Sequence, residues 1–191
     1  MILYTINGSG SDAVKSLANY CNIKLTERPR SEHRSALEAI NPAATVPTLD
    51  SGDWVTTETA AILRYLAKQH NPDLLGTGDE TQVRVDEIIG FLSTGMYSHY
   101  IQFFRPEKFV SSEAQFADVK SLGLQNLAQC LDLLEKKVDS SDFLAGDQLS
   151  IADFYAMVLL KWQSKIQPLN AEYPKLLAYW NSIQQQPWFI G

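Results

Sequence analysis

The sequence predicts an α/β domain followed by an all-α domain, and three observations point that way. Short β-branched runs alternate with helically spaced apolar residues as far as His70, a cluster of turn residues follows, and past it the strand signals cease. With 191 residues, 45% of them hydrophobic, the chain can bury one large core or two modest cores packed together without disulfide staples.

The first element is Ile2-Leu3-Tyr4-Thr5-Ile6, short, β-branched and aromatic, which runs into the turn-rich Asn7-Gly8-Ser9-Gly10-Ser11. Val14, Leu17, Ala18 and Cys21 then fall at helical spacing, with Ser9 or Ser11 as N-cap, so a βα unit opens the chain. Lys24 to Arg28 reads as a second strand. Ser35 to Ile40 reads as a short helical turn that stops at Asn41-Pro42, because a residue before proline avoids the helical region. Thr48-Leu49 and Trp54-Val55-Thr56 flank the turn Asp50-Ser51-Gly52-Asp53 as a hairpin, and Thr59 to His70 returns to helical spacing with Ile62, Leu63 and Leu66 inward.

Asn71-Pro72-Asp73 and Gly76-Thr77-Gly78-Asp79 combine a helix stop with several turn residues and mark the linker, so the domains are drawn at 1–76 and 82–191. Helical patterns then run over about 81–104, 112–138, 150–165 and 173–186, separated by Arg105-Pro106, Ser140-Ser141-Asp142 and Gln167-Pro168. Ser150 is placed as N-cap with Asp153 as its capping-box partner, Leu149 and Phe154 as a hydrophobic staple, and the helix they start is apolar around much of its circumference, as a central buried helix is.

Several function classes drop out. The formal net charge is -6 and no block of Lys or Arg is present, which argues against nucleic acid and against an anionic membrane surface as partners. No apolar run is long enough to span a bilayer, and Met1 to Ile6 leads straight into a strand without a signal-like stretch, so the expected location is the cytoplasm. Cys21 and Cys130 each sit in an apolar helical pattern, and His33, His70 and His99 lack acidic or cysteine companions, so neither a disulfide nor a metal is expected.

Three places can carry chemistry. Val46-Pro47-Thr48-Leu49 puts a proline at the entrance of a strand. Either the Val46-Pro47 bond is cis and turns the Val46 main chain toward open space, or it is an ordinary trans strand start. Glu58-Thr59 lies at a helix N-terminus, where free N–H groups favour an anion. Thr59 can meet a carboxylate and Glu58 an ammonium, as an α-amino acid head requires, although the same pair also serves as a plain helix cap. The Ser9 and Ser11 loop precedes a helix N-terminus suited to a thiolate, and with no cysteine there the thiol must belong to a ligand.

Taken in order, Asn41-Pro42, Val46-Pro47-Thr48-Leu49, Glu58-Thr59-Ala60-Ala61-Ile62-Leu63-Arg64-Tyr65-Leu66 and Phe143-Leu144-Ala145-Gly146-Asp147 through Ile151-Ala152-Asp153-Phe154 resemble the cytosolic glutathione S-transferase family, over nearly the whole chain. The resemblance implies a thioredoxin-like first domain with a mixed four-stranded sheet, a helical-bundle second domain, and a cytoplasmic homodimer that uses glutathione as co-substrate in detoxification. It assigns the cysteinyl part of glutathione to Val46 and Pro47 and the γ-glutamyl end to Glu58 and Thr59, with Thr59 where serine is usual. Ser9 fits the activating serine, Ser11 is second, and Tyr4 lies near where other classes place a tyrosine. The cysteine of one bacterial class has its counterpart at Gly10. Tyr97 falls where the bacterial pattern carries a histidine, with His99 directed elsewhere, and Phe104, with Phe103, Phe109 and Trp162, is drawn from the set that can line a pocket for a small hydrophobic electrophile. The same site could serve a glutathione-dependent reductase or isomerase, or the fold could belong to a non-catalytic regulatory protein. A thioredoxin-type oxidoreductase lacks its C-x-x-C.

Overall fold

In the computed structural model, which describes residues 1–138 and 142–190, the strands β1 (Ile2–Thr5), β2 (Thr26–Pro29), β3 (Thr48–Asp50) and β4 (Val55–Thr57) form one sheet in the order β2-β1-β3-β4. β1 pairs parallel with β2 and antiparallel with β3, which pairs antiparallel with β4, so the sheet is mixed. Alternation along β1 sets the layers. Leu3 joins the main core with Val14 and Leu17 of α1 (Gly10–Tyr20) and Ile62 and Leu63 of α3 (Thr59–His70). Tyr4 points the other way, into a small cluster with Ala44 and Leu37 of α2 (Arg30–Ile40). Hence α1 and α3 cover one face of the sheet and α2 the other.

The start of α2 departs from the sequence expectation. It begins at Arg30 rather than Ser35, and its backbone is non-helical at His33 (φ -125°, ψ 26°). Among its residues only Leu37 is buried, so it presents no apolar periodicity from which its first turn could be read. That first turn matters, because it delivers Arg30 to the cleft described below.

A 3₁₀ turn at Pro72–Leu75, with Leu74 buried, leads into the helices α4 (Asp79–Gly90), α5 (Tyr97–Phe104), α6 (Phe116–Lys137), α7 (Ile151–Ile166) and α8 (Pro174–Gln184). The helix expected to run unbroken to residue 104 instead passes through a π-helical stretch at Phe91–Met96. Ser93 Oγ donates to Ile89 O at 2.5 Å and Thr94 Oγ1 to Gly90 O at 2.8 Å. Such back-bonding competes with the regular ladder, and short π segments are frequent at functional sites. Of the separators, Ser140 and Ser141 lie outside the described residues, as does Gly191.

α7 is the central helix, with every residue from Ile151 to Leu160 buried. Its capping box is formed as the sequence predicts, Ser150 Oγ accepting from Ala152 N–H and Asp153 Oδ2 accepting from Ser150 N–H at 2.8 Å. Asp153 also receives Leu144 N–H and Tyr179 O–H, each at 2.9 Å, and so ties the loop before α7 to α8. Burial pushes its carboxyl above the usual range while these donors pull it back. One core cluster runs from Leu3 through α7 to Trp188, so the sheet and the helical half share an interior. Cys130 is buried and Cys21 half-buried. Among the described residues no helix is long and apolar enough to cross a membrane.

Candidate active site

Where the two halves meet, a cleft of about 390 Å³ opens. The sheet side contributes Ser9, Gly10, Arg30, Thr45, Val46, Pro47, Glu58 and Thr59, and the helical side Ser93, Tyr97, Tyr155, Val158, Leu159 and Trp162.

The Val46-Pro47 bond is cis. Val46 precedes the β1–β3 ladder, and its N–H and C=O take no main-chain hydrogen bond among the described residues. The loop that carries it is held by the buried side chain of Asn41. The Asn41 amide donates toward Thr45 O, Thr45 Oγ1 and Thr48 Oγ1 at 3.3, 3.1 and 3.0 Å, and its oxygen accepts Ala43 N–H at 3.2 Å. Asn41→Ala is therefore expected to lower stability by about 2 kcal/mol, read in urea unfolding, because the buried partners lose their amide and keep their desolvation cost.

Glu58 adopts a left-handed backbone (φ 69°, ψ 120°) immediately before α3. For a residue with a Cβ that costs on the order of 1–3 kcal/mol, and such outliers cluster at ligand sites. Thr59 is buried, yet its hydroxyl takes no hydrogen bond within the described residues. A side chain at Gly10 would collide with Thr59 Oγ1 and come within 3.3 Å of Pro47 Cδ, so glycine there lets α1 and α3 close on one another.

Ser9 caps α1, its Oγ accepting Ser11 N–H at 3.2 Å, and its own proton lies within reach of Ile6 O at 2.6 Å or Ser11 Oγ at 3.0 Å. Ser11 is fully buried beneath the loop and accepts Ile6 N–H at 3.3 Å, so of the two serines only Ser9 lines the cleft. The loop is clamped from α7. Gly8 N–H donates to Asp12 Oδ2 at 2.8 Å, Lys161 Nζ meets that oxygen at 3.3 Å, and Trp162 Nε1–H donates to Gly8 O at 2.7 Å.

Tyr4 is buried behind the sheet with Arg28 Nη1 donating to its hydroxyl at 3.2 Å, because the alternation of β1 turns it from the cleft. Phe104 lies outside the lining, packed edge-on to Trp162 with ring centroids 6.0 Å apart. Tyr97 does line the cleft, whereas His99 turns toward Gln102 Oε1 at 2.9 Å. Burial, and after it the Glu58 charge, pushes the Tyr97 phenol above its usual range. Tyr155 is pushed further up, by burial first and then by Tyr97 and Glu58.

Sequence reasoning missed Arg30, Thr45, Ser93, Tyr155, Val158 and Leu159 as cleft residues. Arg30 was hidden by the polar start of α2, and Tyr155 by an apolar helix in which a tyrosine reads as core.

With this geometry, the matches to known families fall into place. A model of the glutathione S-transferase N-terminal domain matches residues 3–74, and a model of the glutathione S-transferase C-terminal domain matches residues 97–187. The chain belongs to the glutathione S-transferase family. Among its relatives, glutathione S-transferase F9 of Arabidopsis thaliana is 27% identical over 169 residues, 83% of this chain and 78% of the plant protein. A glutathione transferase from Methylococcus capsulatus superposes with a TM-score of 0.84 at 27% identity, covering 98% of this chain and 94% of that one. A homologue from Sulfitobacter, solved with bound glutathione, gives a TM-score of 0.89 at 22% identity over 98% and 94% of the two chains, a likeness of fold. The transferase thus carries its family's mixed sheet followed by a helical domain, and its cleft lies at the seam between them.

Proposed function

We propose that this transferase binds glutathione across the cleft, lowers the pKa of its thiol, and directs the thiolate at a small hydrophobic electrophile. The observation that carries the reading is a set of polar groups at the cleft that have no hydrogen-bond partner among the described residues: the Thr59 hydroxyl at the start of α3 and the main chain of Val46. A γ-glutamyl α-carboxylate meets Thr59 at the helix N-terminus, its ammonium meets Glu58, and the cysteinyl main chain pairs with Val46. Arg30, the one cation of the lining among the described residues, suits the glycyl carboxylate.

That arrangement brings the sulfur to Ser9 and the N-terminus of α1. Lowering a thiol from about 8.5 by roughly two units needs about 2.7 kcal/mol in favour of the thiolate. A hydrogen bond to a charged group, about 1.5–3 kcal/mol, and a helix N-terminus, about 0.3–1 kcal/mol, together supply it. The Ser9 hydroxyl, within reach of Ile6 O and Ser11 Oγ, must rotate to the sulfur. Beyond the sulfur, Val158, Leu159 and Trp162 offer the apolar surface for the electrophile. A side chain at Gly10 has no room, which supports a serine mechanism over protein-bound mixed-disulfide chemistry. We place the protein in the cytoplasm as a homodimer with domains bounded at 76 and 82. Exposed Trp54, Val55 and Val83 support a second copy as partner.

The test is an absorbance titration of bound glutathione thiolate. In Ser9→Ala the apparent pKa is expected to rise by about one unit, the loss of one hydrogen bond to a charge. An unchanged titration removes Ser9 from the mechanism.

A further inference from the structure

A groove of about 770 Å³ opens beside the cleft, lined by the ends of β1 and β2, the first turn of α2, and Arg105 just past α5. In a chain with a formal net charge of -6, it gathers Arg30, Arg34 and Arg105 on one surface. Arg30 makes no hydrogen bond or ion pair among the described residues. Arg34 and Arg105 are exposed, and each engages a neighbouring carboxylate through Nε, Arg34 with Glu38 at 2.7 Å and Arg105 with Glu107. Their Nη groups make no hydrogen bond among the described residues. Exposed pairs of this kind contribute little, so both guanidinium forks stay open to a planar anion.

The rest of the lining does not cancel that charge. Glu27, its acidic residue among those described, faces Lys15 Nζ at 3.5 Å, and the same Nζ reaches Asn7 Oδ1 at 3.4 Å. The N-cap of α2, Pro29, has no side-chain cap to offer, so the N–H groups of the first turn add the positive end of a helix to the groove. Groove and cleft adjoin. Arg30 lines both, and Ile6, which lines the groove, has its carbonyl 2.6 Å from Ser9 Oγ.

We infer that Arg34 and Arg105 form a second anion subsite, which selects aromatic electrophiles that carry a carboxylate or sulfonate on the ring. This rests on the glutathione reading given above. With Arg30 assigned to the glycyl carboxylate, the sulfur beside Ser9 stands at the seam of the two cavities, and the anionic group of the electrophile extends into the groove. In the step, written for a nitro-activated aryl chloride, a sulfur lone pair forms the C–S bond at the carbon that bears chlorine, and a ring π pair moves onto a nitro group. That pair returns to the ring as the C–Cl bond breaks and its electrons leave on chloride, and the thiol proton goes to solvent. The arginines take no part in these bonds. They hold the far end of the substrate equally before and during attack, so KM should carry their effect.

The test is a calorimetric titration of the wild type, Arg34→Gln, Arg105→Gln and the double variant with two conjugates, S-(4-carboxy-2,6-dinitrophenyl)glutathione and its ring methyl ester. The carboxylate conjugate is expected to bind the wild type about fivefold tighter than the ester, as a pair of exposed charge contacts provides. That advantage is expected to fall below about twofold in the double variant and at high salt. In turnover, KM for 4-chloro-3,5-dinitrobenzoate should rise about fivefold relative to KM for its methyl ester in the double variant, with the ratio of kcat values unchanged. Equal affinity of the two conjugates for the wild type, an advantage that survives both substitutions, or a difference carried by kcat overturns the arginine subsite alone. If neither conjugate binds, the glutathione reading falls and this inference with it.

Discussion

Gly10→Ala is expected to weaken glutathione binding about ten- to a hundredfold in a calorimetric titration. The added methyl would overlap Thr59 Oγ1, and Pro47 Cδ at 3.3 Å closes the other escape. Thr59 must then swing off the cleft, which forfeits one hydrogen bond to a charged carboxylate, about 1.5–3 kcal/mol or one to two decades of affinity. The left-handed Glu58 just before it leaves the backbone of that turn little freedom to adjust. Gly10→Cys should fail in the same way rather than gain mixed-disulfide chemistry. Affinity within twofold of wild type would show that the α1–α3 contact relaxes without cost to Thr59.

Asp153→Ala should have the largest effect on stability, a loss of roughly 4 kcal/mol in urea unfolding. Its carboxylate is fully buried and receives Leu144 N–H, Ser150 N–H, Ser150 O–H and Tyr179 O–H, and truncation strands these donors where water does not reach. With domain stabilities of about 5–15 kcal/mol, such a loss brings the fold close to its limit. Asp153→Asn keeps the volume but turns an amide NH₂ toward groups that are themselves donors, so it should lose a comparable amount. A shift under about 1 kcal/mol in both variants would mean that the network contributes little beyond packing.

What could be read from the sequence divides along a physical line. Helix α3 was legible to its ends, because Ile62, Leu63 and Leu66 repeat at helical spacing and Asn71-Pro72 stops it. The start of α7 was legible because Ser150 and Asp153 are local partners. On the sheet side of the cleft, Ser9, Val46, Pro47, Glu58 and Thr59 were each found, since turns, prolines and helix starts announce themselves within a few residues.

The remainder depends on tertiary structure. The first turn of α2 has no buried stripe, so Arg30 was not anticipated, and the π-helical stretch that shapes the far wall arises from hydroxyl back-bonds at Ser93 and Thr94 that periodicity does not register. Trp162 and Gly8 are 154 residues apart, yet their hydrogen bond fixes the loop that presents Ser9. Tyr155 was correctly expected to be buried, but whether its hydroxyl end meets other side chains or a cleft depends on where α5 lies. Tyr4 shows the converse: nearness in sequence to the Ser9 loop suggested a role, and strand alternation turned its ring to the opposite face.

The most direct measurement of the central claim, that the cleft grips glutathione by its γ-glutamyl end, is a calorimetric titration of the wild-type protein with glutathione and with cysteinylglycine, which lacks that end. Loss of the contacts to Glu58 and Thr59 is expected to weaken the dipeptide at least about a hundredfold. Equal affinity for the two ligands would contradict it.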